Sequence, residues 1–517
     1  MSLPSIFNDV LGPVMRGPSS SHSAAALRIG RLVRQLMDNN IKNLLVEYDP
    51  NGSLVTTHKS QGTDMGIAGG FLGWDPTDER LMDYEQHIED AGIEIEVRYV
   101  SYGATHANTY KLAISNELEE HQMTALSTGG GMIEVVKIDG ADVTMFGDFY
   151  EVLVYVDADF SSEGVKILND SKFYNGNKPF YKLKSTEKFA SNFIAELKST
   201  EGVITVKVLD PVLPILGVEA NMPFTTCEEM EAYNEIHDLS LWQLALRYEA
   251  SRSGFSEEHL YKMMLNLVDI FKNAVSIGIE GTSYDDRILP SQAPGFQNKI
   301  KSGGLLGNPL TNEIILATTA MMEVKSSMGI IVAAPTAGSC GTLPGTVIGA
   351  ARVMNYSDDE IVKALFAAGI IGVFIAKGST FAAEEAGCMA ETGSAGSMAA
   401  AALVTFAKGS LNQAVGAASI ALQNALGIIC DPIGNRVEAP CLGKNVMAAS
   451  NALSSANMAL ADYKHLIPFD EVVEAMNKVG KAMPHQHCCT GLGGLAMTPT
   501  AQKIENELVK GHVKISC

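Results

Sequence analysis

The stretch at residues 427–441, GIICDPIGNRVEAPC, breaks a long run of helical periodicity with two prolines and a turn-forming Gly-Asn pair. Proline removes a backbone donor and crowds the preceding turn, so this stretch cannot continue a helix. It reads as a loop that presents the thiols of Cys430 and Cys441 between rigid elements, where a positioned site is best held. A third thiol, Cys388, lies upstream in EEAGCMAETGSAGS. Around these loops, from Glu228 onward, apolar residues recur at three- and four-residue steps, as in EEHLYKMMLNLVDIFKNAVSIG and FDEVVEAMNKVGKAM. Many positions are Ala, Gly or Ser, which lets helix backbones approach closely, so a compact all-α domain is expected over 229–517. Four inserts interrupt it, at 333–345, 378–395, 430–441 and 485–494. Each carries cysteine, and loops converging on one site are expected.

The spacing of Cys388, Cys430 and Cys441 is unlike the paired knuckles of structural zinc sites. Soft thiolates donated by separate loops suit an iron–sulfur cluster, and three ligands would leave one iron of a cubane open as a Lewis acid. On spacing alone, three buried structural cysteines stand as the alternative. His485, His487, Cys488 and Cys489 form a second group of metal-binding composition.

The N-terminal half has a different pattern. Residues 17–23, GPSSSHS, precede the amphipathic run AAALRIGRLVRQLMDN. Serines there are helix caps, or else their hydroxyls, the free N–H groups and His22 make a pocket for a carboxylate or phosphate. Short β-rich runs separated by Gly, Asn and Asp turns then point to an α+β domain over 1–148. It contains His106 and Asn108 in ATHANTY and the triple glycine of STGGG. Residues 149–212 alternate strand, helix, strand, helix, strand, the order of a small ferredoxin-like unit, with its first helix expected in SSEGVKILND. Prolines and the absence of a period mark a linker at 213–228. The fold class is therefore multidomain: an N-terminal α+β domain, a small ferredoxin-like module and a large all-α C-terminal domain.

CDPIGNRVEAPC, EAGCMAETGSAGSMAAAAL, APTAGSCGTLPG and GLGGLAM together resemble the α part of iron–sulfur-dependent L-serine dehydratases, also called L-serine ammonia-lyases. GPSSSHSAAALRIG, HANTYKL and STGGGMIEV resemble the β part, and the middle segment looks like the ACT-type module of some members. The resemblance implies a [4Fe-4S] cluster held by Cys388, Cys430 and Cys441. It implies conversion of L-serine to pyruvate and ammonia, with His22 or His106 as the proton acceptor and Ser21 beside them. Ser19, Ser20, Ser23, Asn108, Thr336 and Gly338 would contact substrate, and Cys517 would be a capping ligand from the chain end. Pyridoxal phosphate is not implied, because no lysine Schiff base is needed. A homodimer is implied as well. Two departures stand out: residues 335–338 read PTAG where members often read PTNG, and Cys488-Cys489-Thr490 stands where some read ETS.

The net charge of −21 and the lack of a Lys/Arg run argue against a nucleic-acid partner. No run approaches the roughly 20 uninterrupted apolar residues that span a bilayer, and MSLPSIFNDV is not patterned as a signal peptide, so no membrane partner and a cytoplasmic location are expected. Eight irregularly spaced cysteines in 517 residues do not make a disulfide framework. Two other functions fit parts of the pattern: a cluster-dependent lyase acting on L-cysteine or L-threonine, and an amino-acid sensor without turnover.

Overall fold

A computed structural model of the chain describes residues 3–157, 160, 171–213, 222–285 and 287–512. It divides into two compact units, Ser21–Leu216 on one side and Met1–Ser20 with Gly217–Cys517 on the other.

In the first unit, a six-stranded sheet runs in the order Glu94–Tyr99, Asn43–Tyr48, Thr109–Ser115, Glu120–Gly129, Met132–Ile138, Ala141–Met145. The pair Asn43–Tyr48 and Glu94–Tyr99 is parallel and every other pair antiparallel. Alternation along Asn43–Tyr48 turns Leu44, Val46 and Tyr48 into the core, where they meet Ile29, Leu32, Val33 and Leu36 of the helix Ala25–Leu36. The three glycines Gly129, Gly130 and Gly131 all have positive φ, so they make the tight turn between two strands. A second, antiparallel sheet has the order Val203–Leu209, Tyr150–Val156, Phe180–Ser185, Lys172–Tyr174, with the helix Ser191–Ser199 beside it. The helix expected in SSEGVKILND lies outside the described residues. The strand Lys172–Tyr174 is too short, at three residues between polar turns, to carry a period in the sequence.

The second unit is helical, as its periodicity requires. Pro309–Ser326 is buried along most of its length and packs against Thr342–Met354, Glu257–Glu280 and Cys441–Leu460. A Cβ at Gly345 would stand 2.5 Å from Thr318, so this contact depends on a glycine. Asp358–Gly378 is long and apolar enough by composition to cross a membrane, yet most of it is buried among Ser394–Phe406, Leu241–Ser253 and other helices, the setting of a core helix.

The first twenty residues belong to this helical unit, whereas the sequence suggests one N-terminal domain over 1–148. Their apolar side chains explain the difference. Ile6 and Val10 pack against Gly369 and Gly372, Phe7 meets Phe366 edge-on at 6.1 Å, and Val14–Met15 pairs with Ile331–Val332. Ser5 Oγ and the Ile6 N–H both donate to the buried Glu249 carboxylate at 2.7 Å.

Candidate functional site

In the helical unit the cysteine-bearing loops do converge. The helix Ala383–Cys388 is kinked at Ala386 and Gly387, and the Met389 N–H turns to donate to Ile428 O at 3.0 Å. Gly387 has φ 64°, and a Cβ there would stand 2.8 Å from that same carbonyl, so the kink that presents Cys388 needs glycine. Cys441 opens the helix Cys441–Leu460. Cys388, Cys430 and Cys441 are all buried, and none of the seven described cysteines is in a disulfide. The Cys430 thiol is hydrogen-bonded with those of Cys388 and Cys489, which with burial push it well up. Burial and the neighbouring Cys388 also raise the Cys441 thiol. Metal binding at such thiols must displace their protons.

Charged groups surround the thiols. Lys444 Nζ lies 3.8 Å from Cys388 Sγ, 2.5 Å from Asp431 Oδ1 and 2.6 Å from Ile429 O. Burial alone would lower the Lys444 pKa, but the Cys388 thiol and the Asp431 carboxylate outweigh it and hold the ammonium charged. Lys325, fully buried, donates to Val437 O. Asp431 Oδ2 also accepts from the Leu495 N–H at 2.8 Å, which ties the C-terminal GLGGLAM segment to the CDP loop.

The APTAG turn is the second wall. Thr336 caps the short turn Ala337–Ser339, and its hydroxyl donates to Glu391 Oε1 at 2.6 Å. A Cβ at Gly338 would come within 2.6 Å of the same carboxyl, so Glu391 lies directly over this glycine. Burial and the Glu384 charge push Glu391 up to about 7. The Asn445 amide bridges Gly338 O at 2.8 Å and Cys441 O at 2.9 Å, while its oxygen accepts from Thr342. Ser20 Oγ accepts from the Ala337 N–H at 3.1 Å, which puts one hydroxyl of the SSSHS motif on this turn. Ser19, also buried, precedes it.

The rest of that motif lies in the sheet unit. Residues Ser20–Ala24 form a π-helical turn that runs directly into the helix Ala25–Leu36, so the SSSHS serines stand at the start of the helical run. His22 is fully buried, with Nε2 2.8 Å from Thr57 Oγ1. The Thr57 hydroxyl donates to Ser53 O at 2.7 Å, which leaves its lone pair to accept from His22 Nε2–H. Ser127 joins the other candidates. Its hydroxyl donates to Ser21 O at 2.7 Å and its N–H to Asn108 O at 3.0 Å. Ser23 is buried beside them. His106 Nδ1 accepts from the Asn108 N–H at 3.1 Å. Neither end of the buried Asn108 amide has a hydrogen-bond partner among the described residues. Such an orphaned amide is costly unless a ligand satisfies it.

Cys517 lies outside the described residues. Of the His/Cys group at 485–489, His485 is exposed, and among the described residues no three His, Cys, Asp or Glu side chains are set to hold a metal ion. Several buried thiols from separate loops, with ammonium groups nearby, are soft donors compatible with an iron–sulfur cluster. Sequence reasoning missed Glu391, Lys444 and Asn445. Their signal is a pair of polar residues, Glu391-Thr392 in CMAETG and Lys444-Asn445 in CLGKN, amid small and apolar ones.

A family model described as serine dehydratase alpha chain matches residues 236–496. The chain is 39% identical over 288 residues to a probable L-serine dehydratase alpha chain of Bacillus subtilis, covering 56% of this chain and 96% of that one. It is 42% identical over 154 residues to the probable beta chain of the same organism, covering 30% of this chain and 69% of that one. It is 27% identical over 494 residues to an L-serine dehydratase of Streptomyces coelicolor, covering 93% of this chain and 96% of that one.

Proposed function

The chain belongs to the L-serine dehydratase family, and from that premise we propose that it is a lyase converting L-serine to pyruvate and ammonia with a [4Fe-4S] cluster held by Cys388, Cys430 and Cys441. The observation that carries this reading is the meeting of thiols from separate loops in one buried place. When bound, the cluster supplies Lewis acidity to the departing hydroxyl. The chain's own groups do the rest. Asn108, with both ends of its amide unengaged, binds the substrate's polar groups, and the SSSHS hydroxyls and Thr336 orient its carboxylate. His22 takes the Cα proton. His106 ranks second, because its Nδ1 already accepts a hydrogen bond. Glu391, titrating at about 7, is protonated often enough at neutral pH to give a proton to the leaving hydroxyl, so that water departs. The resulting aminoacrylate tautomerises to an imine, and water hydrolyses it to pyruvate and ammonia.

In this reading the second sheet of the N-terminal unit, with its order Val203–Leu209, Tyr150–Val156, Phe180–Ser185, Lys172–Tyr174, is an ACT-like regulatory module. The protein acts as a cytoplasmic homodimer. A second substrate class, L-threonine or L-cysteine, is favoured only by Ala337, whose buried methyl offers no hydrogen bond at the APTAG turn. The test is anaerobic purification followed by iron analysis and pyruvate release from the three amino acids. Brown, iron-loaded protein with highest kcat/KM on L-serine is expected, and Cys430→Ser should abolish turnover. Iron-free protein, or full activity in Cys430→Ser, would sink the proposal.

A further inference from the structure

Lys444 stands where its own helix does not favour it. It closes the first turn of Cys441–Leu460, where the positive end of the helix dipole repels a cation, and that turn holds no acidic residue to offset it. Only 15% of its side chain is exposed, and 5% of that of its partner Asp431, so the two form a largely buried ion pair. Burying such a pair costs about as much as the attraction returns, which makes stability a weak reason for it.

The ammonium is aimed. It has three hydrogens and no lone pair. Asp431 Oδ1 accepts at 2.5 Å and Ile429 O at 2.6 Å, which leaves the third hydrogen for Cys388 Sγ at 3.8 Å. Asp431 is itself fixed, since its Oδ2 accepts from the Leu495 N–H at 2.8 Å and a Cβ at Gly494 would stand 2.6 Å from the same oxygen. The CDP loop and the GLGGLAM segment thus hold the cation against one motif sulfur. Thiolates bound to iron bring negative charge into this buried place, and such charge is costly unless a cation or a donor meets it. Hydrogen bonds to the sulfurs and the local charge also set a cluster's reduction potential.

We propose that Lys444 is the counter-cation of the iron–sulfur site, a positioning residue whose ammonium holds the Cys388 thiolate and offsets the charge around the cluster. The inference rests on the cluster reading given above and leaves the open iron free, because an ammonium has no electron pair to give it. A cation beside the sulfur favours the reduced, more negative cluster, so its loss lowers the potential.

The experiment uses the full chain purified without oxygen, as wild type, Lys444→Met and Lys444→Arg, with iron counted in each. Dithionite reduces the cluster by one electron in a mediated titration, and EPR counts the reduced form. At the wild-type midpoint, the ratio of reduced to oxidised cluster is expected to fall at least tenfold in Lys444→Met, a shift of about 59 mV for one electron. Lys444→Arg, which keeps the charge, should recover most of that ratio. An unchanged ratio in Lys444→Met overturns the proposal and leaves the cysteine-held cluster standing. An equal fall in both variants overturns it too, since charge would not be the cause. Should Lys444→Met take up no iron, protein labelled with nitrogen-15 lysine decides. A nitrogen-15 coupling to the reduced cluster in pulsed EPR of wild type, lost in Lys444→Arg, supports Lys444, and no coupling in wild type overturns it. Wild-type protein without iron overturns both this inference and the cluster reading beneath it.

Discussion

Glu391 and Gly338 press against each other so closely that neither position is free to vary. A side chain at Gly338 would overlap the Glu391 carboxyl, and the carboxyl keeps its proton to about pH 7 because burial and Glu384 both disfavour its charge. As a proton donor Glu391 must be protonated to work, so kcat/KM should fall as pH rises through about 7. Glu391→Gln keeps the shape and loses the proton. A drop in kcat/KM of about 10²- to 10⁴-fold and the disappearance of that alkaline limb are expected in a pH–rate profile. A limb that persists in the variant would assign it to another group. Glu391 is present in the motif around Cys388, but its role is not legible there, because only the fold brings Thr336 and Gly338 onto it.

Among the elements, the loop that carries His106 owes its shape to one carboxylate. Asp49 accepts from the N–H groups of Asn51 at 3.0 Å, Tyr102 at 3.0 Å, Gly103 at 2.8 Å and Ala104 at 3.1 Å. The Asn51 and Ala104 bonds lead in holding its pKa down at about 2. Its unfolded value is about 3.9. The folded value is the lower one, so this contribution to stability is complete above about pH 4 and is lost as pH falls through 2. Asp49→Asn should therefore flatten the acid limb of the sheet unit's stability, as read by urea unfolding between pH 2 and 5, and raise KM for L-serine by loosening the 102–108 loop. An unchanged acid limb would show that other carboxylates carry it. The turn chemistry of YDPNGS was readable as a break between strands, but its grip on the loop that follows the neighbouring parallel strand was not, since hydrogen bonds between residues distant in sequence leave no periodic trace.

At the scale of the whole molecule, the N-terminal arm shows how distant sequence serves the site. Ile6 is fully buried in the helical unit, and a few residues on, Pro13 O accepts from the Ala333 N–H at 3.1 Å at the entrance to the APTAG turn. Ile6→Ala should lower the stability of the helical unit by about 2–5 kcal/mol. Urea unfolding followed by far-UV circular dichroism should show the helical transition moving to lower urea while that of the sheet unit stays. Equal movement of both would mean that the arm supports both units. The sequence by itself determined which regions are helical and which are sheet, the family, and the motif cysteines, because periodicity and motif spacing are local properties carried along the chain. The tertiary structure alone decided that residues 3–20 leave the sheet unit, that Glu391 covers the APTAG turn and that Cys489 joins the thiols. Each depends on side chains from separate segments meeting in a buried space, and burial is what gives those meetings their chemical consequence.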